Sequence, residues 1–147
     1  MALFSDEIIR ILASAIIGLA IGYTRRDKPA GMRTFALICL GSTIFTLVSL
    51  VDMGPNSDPS RIIGQIVTGI GFLGAGIIWK GQSKVGGLTT AAAAWMTASI
   101  GVLIGLGMWS ESVATTLITI VILLSKHVTE KLDHNTRNTS NWDLRRL

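Results

Sequence analysis

Residues 62–79 read IIGQIVTGIGFLGAGIIW, a run of 18 residues without an acidic or basic side chain. A helix needs about 20 mainly apolar residues to cross a bilayer. Comparable apolar segments lie at about 7–23, 34–51, 88–106 and 109–125. Only 15% of the 147 residues are charged and the mean hydropathy is +0.55, which is apolar for a soluble domain. These features predict an all-α, polytopic membrane helix bundle with about five transmembrane helices.

Lysine and arginine are unevenly distributed between the predicted loops. Alternate loops and the tail hold 11 of the 13 basic residues, and cytoplasmic segments of membrane proteins are rich in these residues. This bias predicts an amino terminus outside and a cytoplasmic carboxyl terminus, and it favours a membrane protein over one that binds nucleic acid. Because Asp6 and Glu7 replace the basic stretch of a signal peptide, we expect the first segment to be retained. The predicted domains are a transmembrane domain at 1–125 and a short basic cytoplasmic tail at 126–147.

The glycines of residues 69–76 include the G-x-G-x-x-G spacing of dinucleotide-binding domains, at Gly69, Gly71 and Gly74. That motif needs a strand before the first glycine and an acidic residue about 20 positions later. Here the first glycine lies inside an apolar run, and the next acidic residue is Glu111. The context excludes a nucleotide site.

Two explanations for these glycines remain. Small residues spaced 4, 3 and 4 apart let membrane helices approach closely, whereas a glycine-rich break can line a polar cavity or pore. The regular spacing and the absence of proline favour contact, and a break stays open as the alternative. Because the other four segments carry similar stripes, we expect a compact bundle, with self-association to a homo-oligomer as an extension. The packing or pore residues of the third segment are Gly64, Thr68, Gly69, Gly71, Gly74 and Gly76.

The first predicted cytoplasmic loop, GYTRRDKPAGMRT at residues 22–34, surrounds a tight Pro-Ala-Gly turn with basic side chains. A positive-inside anchor needs the charge but not the turn. Binding of an acidic lipid, a phosphate or a protein surface would use both features. The candidate contact residues are Arg25, Pro29, Gly31, Arg33 and Thr34.

Carboxylates are scarce in the predicted spans. Asp52 and Asp58 in the loop before the third span could attract Mg²⁺, but Asp58 is better explained as the N-cap of that helix. The absence of embedded carboxylates counts against a self-sufficient magnesium transporter. We find no nucleophile paired with a base, so we expect neither an enzyme nor a resident cofactor. Gly87, Thr89 and Thr90 are expected at the start of the fourth helix.

Four stretches together resemble the MgtC/SapB family of inner-membrane proteins: GLAIGYTRRDKPAGMRT, DPSR, VTGIGFLGAGIIWK and GLTTAAAAWMTASIG. The resemblance implies location in the cell inner (cytoplasmic) membrane. Family members commonly carry an acidic residue where this chain has Thr24. Longer members carry a cytoplasmic ACT-like domain, so we expect a short member without it. Besides the loop and glycine residues above, the resemblance points to Ala30, Asp58, Arg61, Phe72, Gly87, Thr89, Thr90 and Trp95.

The family is linked to magnesium homeostasis, acid adaptation and survival of pathogens inside macrophages. The resemblance therefore implies regulation of other membrane proteins, such as the F-type ATP synthase or a transporter, under acid or low-magnesium stress. The alternative is an oligomeric transporter or channel for magnesium or another small ion. A lipid- or anion-binding module that uses the basic first loop is a third hypothesis.

Overall fold

The computed structural model describes residues 2–51, 58–81 and 85–125. Asp52 and the predicted tail at 126–147 lie outside this part of the chain. The five predicted helices are confirmed, and a two-stranded antiparallel hairpin precedes the fourth, with Trp79 opposite Gly86. The elements are α1 Ala2–Tyr23, α2 Met32–Ser49, α3 Pro59–Ile77, β1 Trp79–Lys80, β2 Val85–Gly86, α4 Leu88–Gly105 and α5 Trp109–Leu124.

The architecture is an all-α membrane bundle. Helices α2, α3 and α4 are long and apolar enough to cross a membrane, and α5 is an apolar helix of 16 residues. Large apolar side chains cover the outside of α1 and α5, including Ile16, Leu117 and Val121. Such side chains are as well accommodated by lipid tails as by protein, so they need no partner helix.

Helices α1, α2 and α4 meet at glycines. A Cβ atom added to Gly18 of α1 would lie 2.6 Å from the Ala36 Cα atom, and one at Gly22 would lie 2.5 Å from the Met32 Cα atom. A Cβ atom at Gly101 of α4 would lie 2.5 Å from the Cys39 carbonyl oxygen. Only hydrogen fits at these positions, so the glycines allow the close backbone approach that was predicted.

The small polar residues of the core mostly satisfy their own helix. The Thr46 and Thr97 hydroxyls donate to backbone carbonyls four residues earlier, at 2.8 Å. Thr43 is different, because its hydroxyl donates across the helix interface to the Gly101 carbonyl at 2.9 Å. In α5, Ser112 and Thr116 are also buried. The stripes predicted in α1, α2, α4 and α5 therefore face the bundle interior.

The stripe of α3 does not follow this pattern, because its glycines make no close contact within the described part of this chain, and the predicted helix contact stays a prediction. A Cβ atom at Gly64, Gly69, Gly71 or Gly76 would meet no heavy atom within 4 Å, and one at Gly74 would only touch Ala91 at 3.9 Å. The helix contacts its neighbours instead through isoleucines, and Ile70 is its one buried residue. The glycines lie mainly outside this isoleucine face because the helix turns by 100° per residue.

The alternative of a broken third helix is also not observed, because α3 is continuous from Pro59 to Ile77.

The start of α3 follows from the local sequence. Pro59 takes the first helical position, where its missing N–H would have no partner. The Asp58 carboxylate accepts a hydrogen bond from the Ser60 backbone N–H at 2.9 Å, which is the predicted N-cap. Further along the helix, the Thr68 hydroxyl donates a hydrogen bond to the Gly64 carbonyl at 3.1 Å.

Arg10 fastens α1 to the turn between α4 and α5. Its guanidinium donates to the Gly105 carbonyl at 2.8 Å, at the carboxyl end of α4, and pairs with Asp6. A cation at this position complements the partial negative charge of a helix carboxyl terminus.

Replacing a core glycine with alanine should destabilise the bundle, whereas the same change on α3 should not. We expect Gly18→Ala and Gly101→Ala to cost about 1–3 kcal/mol, because each new methyl group meets backbone atoms. Gly71→Ala is the matched control and should stay within ~1 kcal/mol of the parent chain. Thermal unfolding in detergent, followed by tryptophan fluorescence, measures the difference. Equal effects of all three changes would contradict the assignment of the contacts.

The Asp58 cap should make stability depend on pH. The hydrogen bond from Ser60 and the charge of Arg61 lower the pKa of Asp58 below its ordinary 3.8. Well above pH 3.8 the Asp58 carboxylate is ionised in both the folded and the unfolded chain, and the cap stabilises the folded state. The contribution is lost as the pH falls through the lower, folded-state pKa. We expect the unfolding temperature to fall more steeply between pH 6 and pH 3 in the parent chain than in Asp58→Asn, whose amide caps without titrating. Superimposable pH profiles would refute this.

Candidate functional site

The residues predicted in the first loop and at the start of α4 lie at one end of the bundle. Contacts of Gly101 with Ser42 and of Gly105 with Thr46 show that α2 and α4 run parallel, so both helices begin at this end. We call it the basic end: residues 24–31, the first turns of α2 and α4, and the β1–β2 hairpin. Its described basic side chains are Arg25, Arg26, Lys28, Arg33 and Lys80.

The chain reaches α4 through a turn that only glycine fits well. Gly87 has φ of 86°, in the left-handed region, where a Cβ atom is disfavoured. Such an atom would also collide with the Ile77 carbonyl oxygen at the end of α3. The hairpin can therefore return the chain tightly from α3 to α4.

Both helix starts lack a side-chain cap. The N-cap residues are Gly31 for α2 and Gly87 for α4, and neither helix start receives a side-chain hydrogen bond from its N-cap. Free backbone N–H groups and the helix dipole make a helix amino terminus attractive to anions. Two such termini and five basic side chains give the basic end a positive electrostatic character.

A shallow cleft of about 330 Å³ lies at the start of α2. It brings together Gly31, Arg33 and Thr34 of the predicted residues and adds Arg26 and Met32. Arg26 is held in place by Tyr23, because its guanidinium lies 4.8 Å from the ring centre and donates to the phenol oxygen at 2.7 Å. Sequence reasoning did not select Arg26. The signal was its position three residues after an aromatic side chain at the end of a helix.

Arg25 lies beneath this surface. Its side chain is only 5% exposed, and its Nε atom has no hydrogen-bond partner among the described residues. Burial lowers the pKa of Arg25. Beside it, the Thr24 hydroxyl donates to the Ile21 carbonyl at 2.7 Å. Position 24 of this chain therefore holds a neutral group that satisfies the end of α1.

The other predicted residues are dispersed. Pro29 and Thr89 are exposed at the basic end, and Thr90 is buried there. Asp58 and Arg61 lie at the opposite end, where α3 begins. Gly69 lines a groove between α2 and α3, and Trp95 lines a smaller one of about 260 Å³ between α3 and α4.

Metal binding was the alternative role of Asp58 and Asp52. Asp58 is engaged as a helix cap, and Asp52 lies outside the described residues. Over residues 2–51, 58–81 and 85–125, no group of three or more His, Cys, Asp or Glu side chains could hold a metal ion. The arrangement that the structure describes is suited to attracting anionic groups at the basic end.

The sequence of residues 11–132 matches the MgtC family. The chain is 47% identical over 113 residues to Protein MgtC of Salmonella typhimurium (strain 14028s / SGSC 2262). This alignment covers 76% of this chain and 48% of that protein. The chain is 43% identical over 128 residues to "Putative magnesium transporter YhiD" of Escherichia coli (strain K12), covering 81% and 60%. Protein SrpB of Synechococcus elongatus is 38% identical over 129 residues, covering 78% and 71%.

The chain spans about half the length of the Salmonella proteins that it matches. No solved structure gives a significant match. The family match extends from the interior of α1 through α5, and it includes the basic end and the glycine-rich helix α3. This chain therefore belongs to the MgtC family.

Proposed function

We propose that this chain regulates another integral membrane protein through helix–helix contact, rather than catalysing a reaction or transporting an ion. We place it as a multi-pass protein of the cell inner membrane. Its role would lie in magnesium homeostasis or in adaptation to acid and low magnesium. The name of the E. coli relative supports the link to magnesium. By the family resemblance, the F-type ATP synthase and transporters are the first partner classes to test.

The outward face of α3 carries this proposal. We define this face as Gly64, Thr68, Gly71 and Ala75, all of which are exposed. Small side chains offer little to lipid tails but allow another helix to approach closely. The other four helices bury the small residues of their stripes, such as Gly18, Thr97 and Ser112, so α3 is unusual in presenting its stripe outward. A transmembrane helix of a partner is the natural complement to this surface.

Ion transport is less well supported. A transport pathway uses embedded carboxylates, or the backbone of a broken helix, to replace the water around an ion. Within the described helices the acidic residues lie near the ends, at Asp6, Glu7 and Glu111, and α3 is unbroken. The name of the E. coli relative is what favours this alternative.

Flux measurements separate the two functions. We expect purified chain in proteoliposomes to give no magnesium uptake above that of empty vesicles. Uptake that rises with the protein-to-lipid ratio would contradict regulation as the primary role. Its loss in Asp58→Ala would then place the ion path at the start of α3.

Site-specific photocross-linking in cells tests the partner surface. A photoreactive amino acid in place of Thr68 should give an adduct with a second membrane protein. The same replacement of Leu117, which is also exposed but lies on α5, should not. We expect Gly71→Leu to reduce the Thr68 adduct by roughly tenfold without lowering the unfolding temperature.

Indistinguishable adducts from positions 68 and 117 would refute a specific surface on α3. An adduct of twice the chain's mass would assign the face to self-association in a homo-oligomer instead.

A further inference from the structure

A groove of about 640 Å³ separates α2 from α3. Glycines keep it open, because a Cβ atom at Gly41 of α2 would meet no heavy atom within 4 Å, and the same is true at Gly69 of α3. From Arg61 to Ile70 the groove extends for about 13 Å along α3. Its apolar walls are formed by Leu37, Ile38, Phe45, Ile62, Ile66 and Ile70.

Two polar side chains of α3 line this groove. Arg61 lies at one end of the groove, and Gln65 lies one helical turn, or about 6 Å, further along. Neither side chain has a hydrogen bond or ion pair with another residue that the structure describes. The groove is therefore amphipathic along its length. Its polar half begins at Arg61 and reaches Gln65, and its lining from there to Ile70 is mainly apolar.

The walls of the groove suit a lipid acyl chain as its occupant. Most of the lining beyond Arg61 and Gln65 is apolar. An extended acyl chain is also much thinner than a helix, which is about 10–12 Å wide with its side chains. A lipid also has a polar headgroup at one end and a hydrocarbon chain at the other, which matches the polar and apolar parts of the groove.

The charges near the start of α3 favour one kind of headgroup. Arg61 lines the groove and offers a cation. Asp58 is not part of the lining, but it offers an anion three positions earlier, at the N-cap. A headgroup with only negative charge would be attracted by the first and repelled by the second. A phosphoethanolamine headgroup carries a phosphate and a primary ammonium joined by a short ethylene link, and it complements both side chains.

We propose that the α2–α3 groove binds one phospholipid with a phosphoethanolamine headgroup. An acyl chain lies against the apolar walls, the lipid phosphate accepts hydrogen bonds from Arg61, and the ammonium donates to Asp58. The Gln65 amide donates to an ester carbonyl below the phosphate. This site lies on a different side of α3 from the outward face, so it does not depend on the proposed function.

Native mass spectrometry of the full chain in detergent tests the site, with phosphatidylethanolamine, phosphatidylglycerol or phosphatidylcholine added. We expect one retained phosphatidylethanolamine. Arg61→Gln should weaken its binding by about tenfold, because a charged hydrogen bond is lost. Asp58→Asn keeps the helix cap and should abolish the preference over phosphatidylglycerol. Both Gly41→Leu and Gly69→Leu should prevent lipid retention by filling the groove.

Gly64→Leu is the matched control, because it also adds a side chain to open space but outside the groove. It should bind lipid like the parent chain. Tryptophan fluorescence confirms that each variant is folded. The two groove glycines lie on different helices, so if one variant does not fold, the other still tests the groove.

Several outcomes would overturn the proposal. Unchanged lipid retention in folded Gly41→Leu or Gly69→Leu would exclude the groove. Equal loss in Gly64→Leu would place the lipid on the outward face. A protein dimer that Gly41→Leu abolishes, without retained lipid, would assign the groove to a second copy. Equal binding of the three lipids, unaffected by Asp58→Asn, would exclude the headgroup assignment.

Discussion

The close backbone approach of α1, α2 and α4 is the constraint on which the rest of the structure depends. In lipid, burial of large apolar side chains gives little gain, so helices associate through van der Waals contact between small residues. Gly18, Gly22, Gly101 and Gly105 supply these contacts. The Thr43 hydroxyl adds a hydrogen bond across the same interface. This arrangement holds the starts of α2 and α4 at one end of the bundle.

Helix α3 is attached to this core in a different way. It uses isoleucines on one side and leaves most of its glycines without contacts in the described chain. Consequently α3 offers two kinds of surface. The outward face suits another helix at close range, whereas the α2–α3 groove suits a thin apolar chain. Both surfaces exist because glycine has no side chain. The positions of Gly64, Gly69 and Gly71 therefore leave open space beside α3, while the helix itself stays continuous.

The two ends of the bundle differ in charge. One end combines uncapped helix starts with Arg25, Arg26 and Arg33, and it favours anionic groups. The other presents Asp58 and Arg61 together at the start of a capped helix. A zwitterionic group fits the second end better than the first. Attraction of an anionic group and binding of a zwitterionic lipid would therefore use opposite ends of a small bundle.

The sequence alone determined the number of helices, their approximate bounds and the cap at Asp58, because apolar length and local hydrogen bonding are properties of short segments. It also identified the basic loop and the family. It did not predict that α3 would turn its glycine stripe outward, because spacing shows which residues share a face but not what that face meets. The groove likewise depends on Gly41 and Gly69, which are distant in sequence. Only tertiary packing decided which small residues make contact and which remain open.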